Sequence, residues 1–116
     1  MSDTLVSVDA SLGRGAQAVT GSRVTIHSLG RLEAGGTFDD TRSTGTPHAF
    51  RLGDGEVIEG WEQGIIGMRV GGVRRLTVPA SLGYGERGVL GRIPPNATLL
   101  FEIELVSVEA SGAEWF

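Results

Sequence analysis

The sequence predicts an α+β fold: a curved, mainly antiparallel sheet of five to six strands wrapped around one short α-helix. Two observations carry that prediction. Most of the chain reads as short runs of alternating and β-branched residues separated by turns, with 19 glycines in 116 residues. One stretch, Glu56-Val57-Ile58-Glu59-Gly60-Trp61-Glu62-Gln63-Gly64, opens a run of helical periodicity in which Val57, Trp61, Ile65 and Met68 share one face. Gly60, Gly64 and Gly67 interrupt that run, each costing about 1 kcal/mol relative to alanine in a helix interior. Such a helix needs a sheet to hold it. The glycines then serve close approach. Trp61 is either a plain core anchor or the floor of a pocket.

The strands follow in order. Leu5-Val6-Ser7-Val8 forms a short first strand, and Gly13-Arg14-Gly15 and Thr20-Gly21 break the chain after it. Residues 24–32 alternate and form a long strand, with Val24, Ile26 and Ser28 on one face and Thr25, His27 and Leu29 on the other. His27 is expected on the solvated face. Gly35-Gly36 closes a hairpin-like turn, and Thr37-Phe38-Asp39 restarts an extended segment. Residues 40–48 read as a loop by composition. Phe50-Arg51-Leu52 is a short strand, and Gly53-Asp54-Gly55 leads into the helix. After a turn at Gly71-Gly72, residues 73–78 form a strand stopped by Pro79. Residues 79–98 have no regular period; a structureless connection that long in a small domain reads as a functional loop. Residues 99–108 make the strongest strand, with Phe101, Ile103 and Leu105 facing in and Glu102 and Glu104 facing out.

The length fits one domain, 1–109, with a loose tail at 110–116 whose Trp115 and Phe116 are unusually apolar for an end. There is no cysteine, which excludes disulfides, a thiol nucleophile and a thiolate-ligated zinc. The net charge is −4 and all ten basic residues are Arg. An acidic chain without a basic run is poorly suited to nucleic acid or an anionic membrane. No secretory leader pattern or 18-residue apolar run is visible, so the expected location is the cytoplasm.

Several motifs fail on context. Gly83-Tyr84-Gly85-Glu86-Arg87-Gly88 matches G-x-G-x-x-G, but the following Val89-Leu90-Gly91-Arg92-Ile93-Pro94-Pro95 cannot open the helix a dinucleotide site requires. Asn96-Ala97-Thr98 is a glycosylation sequon with meaning only in a secreted chain. His27 and His48 lack metal-ligand spacing, and no metal or cofactor is expected. Glu56, Glu59 and Glu62 could suggest a two-carboxylate hydrolase, but acids near a helix N-terminus read better as a solvated face. What remains is a dispersed apolar set, Phe38, Phe50, Val57, Ile58, Trp61, Tyr84, Ile93 and Phe101. As a group it suggests a cavity between helix, sheet and the 79–98 loop.

Those residues also carry a resemblance. Gly35-Gly36-Thr37-Phe38-Asp39, Arg42, the Glu56–Gly64 string, Met68-Arg69-Val70-Gly71, Tyr84-Gly85, Ile93-Pro94-Pro95-Asn96-Ala97-Thr98-Leu99 and Phe101-Glu102-Ile103-Glu104-Leu105 resemble the tacrolimus-binding (FKBP-type) peptidyl-prolyl cis-trans isomerases. The resemblance implies rotation about X-Pro bonds in peptides and folding proteins, without covalent chemistry. A catalytically weak binding or scaffold module is the alternative it leaves. Trp61 would be the floor under the proline ring, Phe38, Val57, Ile58 and Phe101 would line the sides, and Phe50 and Glu56 would also bind substrate. The Ile58 N–H and the Tyr84 phenol would meet ligand carbonyls. Asp39, oriented by Arg42, would sit at the rim, with Tyr84 and Ile93 in the flap.

Four positions depart from the family pattern. Ser28 replaces a pocket tyrosine, which would remove a hydroxyl contact to Asp39, and His48 replaces an aromatic, often phenylalanine. Val89 and Arg92 stand at flap positions that are often histidine and isoleucine, and Arg92 suggests a preference for acidic residues beside proline. The partners implied are proline-containing peptides, unfolded proteins and macrolides of the tacrolimus and rapamycin type. No chaperone insertion separates Tyr84 from Ile93 and no dimerising helical arm is visible, so a monomer is expected.

Overall fold

A computed structural model of the chain describes residues 4–109; Trp115 and Phe116 lie outside them. Six strands form one antiparallel sheet: β1 (Val6–Ser11), β2 (Arg23–Leu32), β3 (Thr37–Asp40), β4 (His48–Arg51), β5 (Val73–Val78) and β6 (Leu99–Glu109). Their spatial order is β1-β5-β6-β2-β3, with β4 also paired to β2. A one-turn helix, α1 (Thr41–Thr44), separates β3 from β4, and α2 (Glu59–Ile65) precedes β5. The expected α+β architecture, a sheet wrapped around one main helix, is the observed one.

The core lies between the sheet's inner face and α2. Val24 and Ile26 of β2, Leu76 and Val78 of β5, and Leu99, Phe101, Ile103 and Leu105 of β6 are buried with Trp61 and Ile65. Helix and sheet meet through glycine. A Cβ on Gly60 would come within 2.5 Å of a Val78 methyl, and one on Gly64 within 2.6 Å of a Leu76 methyl. The helical cost of those glycines is therefore the condition for α2 to lie on β5.

The helix begins later than its periodicity suggests. Glu56 and Val57 are not helical, and Ile58 is the extended N-cap, with φ −60° and ψ 152°. The reason is Glu62, expected on a solvated face but buried. Its carboxylate accepts the Gly53 N–H on both oxygens, at 2.9 and 3.1 Å, and the Gly55 N–H at 3.2 Å. The lead-in is thereby folded back onto the helix instead of continuing it.

Residues 40–48 also differ from the expected plain loop. Asp40 caps α1 by accepting the Ser43 N–H at 3.2 Å, and Gly45 ends it at φ 78°. The 79–98 segment is not structureless. It opens with a 3-10 turn at Ala80–Leu82, and Val89 and Ile93 exchange two backbone hydrogen bonds of 2.8 Å. The Asn96 N–H donates to the Gly85 carbonyl at 2.8 Å. Local bridges of that kind carry no apolar period, which is why the sequence reads as irregular.

Replacing Glu62 by alanine would remove the charge-assisted hydrogen bonds that hold the Gly53 and Gly55 N–H groups, so Glu62→Ala is expected to cost about 1–3 kcal/mol. Urea unfolding reads this directly. A loss under about 0.5 kcal/mol, the size of a neutral surface change, would show that the loop is not held by Glu62.

Candidate functional site

A cavity of about 390 Å³ opens between α2, β3, β4, β6 and the 79–98 segment. Trp61 is its floor, 7% exposed. Three rings pack around the indole: Phe50 stacked at 5.8 Å, Phe101 edge-on at 5.2 Å and His48 tilted at 5.5 Å. Phe38 meets Phe101 edge-on at 5.6 Å. That pair exists because β2 carries Gly30 beneath it, where a Cβ would come within 2.8 Å of Phe38 and 2.9 Å of Phe101.

Val57 and Ile58, half-buried, form the wall that Glu62 positions, and Glu56 stands at its edge. Tyr84, Val89, Arg92 and Ile93 close the cavity from the 79–98 segment. The Arg92 guanidinium reaches across the mouth to donate to the Phe38 carbonyl. Ala49 also lines the cavity. Sequence reasoning passed over it because a small, exposed alanine leaves no signal beyond its place between His48 and Phe50.

Two donors in this wall and floor are unused. Among the described residues, the Trp61 indole N–H is buried without a hydrogen-bond partner. The backbone N–H of Ile58 makes no hydrogen bond either, since Ile58 precedes the first turn of α2.

Asp39 is the polar edge of the cavity, and its surroundings depart from expectation. Arg42 neither lines the cavity nor touches Asp39; it pairs with Glu104 of β6. Thr41 of the same single turn points inward, which carries Arg42 round to the outer surface. Ser28 lies behind the cavity, buried, and its hydroxyl donates to Asp39 Oδ2. The hydroxyl contact expected to be lost with tyrosine is thus supplied by serine. Gly30 pairs with Asp39, so Ser28 is a diagonal neighbour on the same face. His48 Nε2 lies 3.2 Å from Asp39 Oδ1.

The interruption of the edge strand makes this possible. β2 pairs with β4 through Arg23–Ile26 and with β3 through Leu29–Arg31, leaving a gap between. Thr41 of α1 fills it. Its hydroxyl accepts the Ser28 N–H at 2.9 Å and meets His27 Nδ1 at 2.8 Å. His27 is accordingly covered by α1 and half-buried, not simply solvated.

The geometry limits the chemistry. Ser28, Asp39 and His48 converge, but the carboxylate stands between the other two. The serine hydroxyl donates to the carboxylate and the imidazole does not reach it, so no histidine-activated serine nucleophile arises. Glu62 is committed to glycine N–H groups, so the three helix acids do not form a hydrolytic pair. What the site offers is an apolar, ring-lined cavity with a few polar atoms at its rim, suited to a small apolar ring flanked by peptide groups.

Fold and cavity thus define a sheet-and-helix protein with an apolar, ring-lined cavity and, among the described residues, no activated serine beside it. Comparison gives the family. Residues 15–106 match the model of the FKBP-type peptidyl-prolyl cis-trans isomerases. Over 97 residues, covering 83% of this chain and 72% of the relative, it is 52% identical to the peptidyl-prolyl cis-trans isomerase FPR2 of Saccharomyces cerevisiae. It is 47% identical to an FK506-binding protein of Neisseria meningitidis over 105 residues, covering 90% and 96% of the two chains. The crystal structure of AtFKBP13 superposes with a TM-score of 0.83 at 40% identity, covering 90% of this chain and 93% of that one. The chain belongs to the FKBP-type peptidyl-prolyl cis-trans isomerases, and its activity is rotation about X-Pro peptide bonds.

Removing the gap-filling hydroxyl tests the frame around Asp39. Thr41→Val keeps the shape but strands the Ser28 N–H, with an expected cost of about 1–3 kcal/mol. Amide exchange at Ser28 should quicken in step. Unchanged stability and exchange would show that α1 holds its place without this hydroxyl.

Proposed function

We propose that the Trp61 cavity is where the isomerase acts, with the substrate proline ring on the indole. The observation that carries this is the cavity itself: rings on three sides, and an unpaired backbone donor, the Ile58 N–H, in its wall.

The chemistry asks for little else. Amide resonance sets a barrier of about 18–20 kcal/mol to rotation, and uncatalysed X-Pro exchange takes tens to hundreds of seconds. No bond breaks, so a catalyst need only bind the twisted amide better than the planar one. The twisted form has lost resonance and much of its charge separation. It therefore gives up less on leaving water, and a dry apolar cavity favours it. Lowering the barrier by about 5–7 kcal/mol corresponds to roughly 10⁴–10⁵-fold acceleration.

Phe38, Trp61, Tyr84 and Phe101 supply shape in this reading, with Phe50, Val57, Val89 and Ile93 completing the walls. The Ile58 N–H orients a substrate carbonyl. Asp39, held by Ser28 and His48, supplies the local field, while Glu56 and Arg92 meet the residues beside proline. Substrates are proline-containing peptides and unfolded chains. Tacrolimus-type macrolides would occupy the same cavity, a reading supported by relatives that carry the name FK506-binding protein.

Cis/trans exchange in a short X-Pro peptide, followed by NMR with and without tacrolimus, tests this. Fast exchange abolished by the drug is expected. Trp61→Ala, checked for folding by circular dichroism, should lose at least about ten-fold in kcat/KM, given the area an indole contributes. Wild-type turnover in a folded Trp61→Ala protein would place the reaction elsewhere.

A further inference from the structure

We propose that His48 sets the charge of the substrate cavity, and so decides which residue beside proline the enzyme prefers. This rests on the Trp61 cavity being the active site.

His48 occupies an unusual position for an ionisable group. Its ring belongs to the aromatic box, 5.5 Å from the indole centroid. Its Nε2 faces Asp39 Oδ1 at 3.2 Å, while the Ser28 hydroxyl takes Oδ2. Its side chain is 42% exposed and that of Asp39 is 19% exposed. One imidazole thus touches the apolar platform and the acidic rim together.

Asp39 has no other cation at hand among the described residues. Arg42 is turned outward to Glu104, and Arg92 is tied to the Phe38 carbonyl. The remaining groups around the cavity that carry or could carry charge are Glu56, ahead of α2, and Arg92 and Tyr84, from the 79–98 segment. On β4 itself, Arg51 is engaged with the Gly21 carbonyl at 2.9 Å and with Asp54 at 3.8 Å.

The charge balance follows. With neutral His48, two carboxylates, Asp39 and Glu56, face one guanidinium, Arg92, and the rim is net negative. A basic residue beside proline is then favoured and an acidic one disfavoured. With protonated His48 the rim is neutral and that preference disappears. The attraction of Arg92 for acidic neighbours is thus opposed or released by a single proton on His48. Imidazole is the side chain suited to such a switch near neutral pH.

The test compares kcat/KM for two peptides that differ only in having Lys or Glu before proline, between about pH 5.5 and about pH 8. In the wild-type protein the Lys-to-Glu ratio should rise about three- to ten-fold towards alkaline pH at low salt, and less at high salt. Two variants remove the proton switch differently. His48→Phe keeps an aromatic ring, whereas His48→Gln keeps a neutral donor for Asp39. Both should show a ratio that is flat with pH. A flat ratio in the wild-type protein, or the same rise in both variants, overturns the inference. Trp61→Ala run alongside separates the two levels. Its inactivity together with the wild-type rise of the ratio in both His48 variants strikes only at His48, whereas full activity of Trp61→Ala strikes at the site itself.

Discussion

The near-contact of α2 with β5 is the constraint on which the rest of the structure depends. Methyl groups of Val78 and Leu76 lie where side chains on Gly60 and Gly64 would begin. At that distance Trp61, between the two glycines, is driven to one side of the helix and into the space bounded by β4 and β6. A longer helix–sheet distance would leave the indole short of Phe101 and Phe50. Two weak positions in a seven-residue helix are thus exchanged for a fixed aromatic floor.

The second constraint concerns the sheet edge. A continuous edge strand along β2 would hide the Ser28 region behind backbone pairing. Splitting that edge into β3 and β4 swings Asp39 and His48 towards each other, and the inserted turn α1 covers the gap through the Thr41 hydroxyl. The carboxylate is then held on one oxygen by a buried hydroxyl and met on the other by an imidazole. Charge-assisted hydrogen bonds to a partly buried carboxylate are stronger than neutral ones. Asp39 is therefore a rigid part of the rim.

How far the sequence revealed this depends on the kind of signal involved. Alternation in β2 and β6 and the periodicity around Trp61 exposed the strands, the helix and its buried face, because burial leaves a period of two or of 3.6. The dispersed aromatics pointed to a cavity, and the structure brings Phe38, Phe50, Trp61, Tyr84 and Phe101 together around one. What escaped is polar. Glu62 reads as another helix acid, yet it organises the preceding loop. Arg42 reads as a partner for Asp39, yet a single turn of helix sends it to Glu104. Ser28 reads as a lost contact, yet its hydroxyl reaches the acid from a diagonal position. Hydrogen bonds made across sequence gaps have no period, so composition and spacing cannot reveal them.

The unused donors separate this cavity from ordinary core. A buried N–H without a partner costs on the order of 1–3 kcal/mol, and folded proteins leave few of them. Here the Trp61 indole N–H is one, in the floor of the cavity, and the Ile58 N–H in the wall is unpaired as well. A sequence selected for stability alone could have satisfied the first with a polar neighbour in place of Phe50 or Phe101. It would then have broken the ring packing around the indole. The second could have been capped by a serine or aspartate side chain, but Ile58 at the N-cap has none to offer. Both omissions leave the cavity ring-lined with an unpaired donor in its wall, the arrangement that the proposed isomerase site calls for.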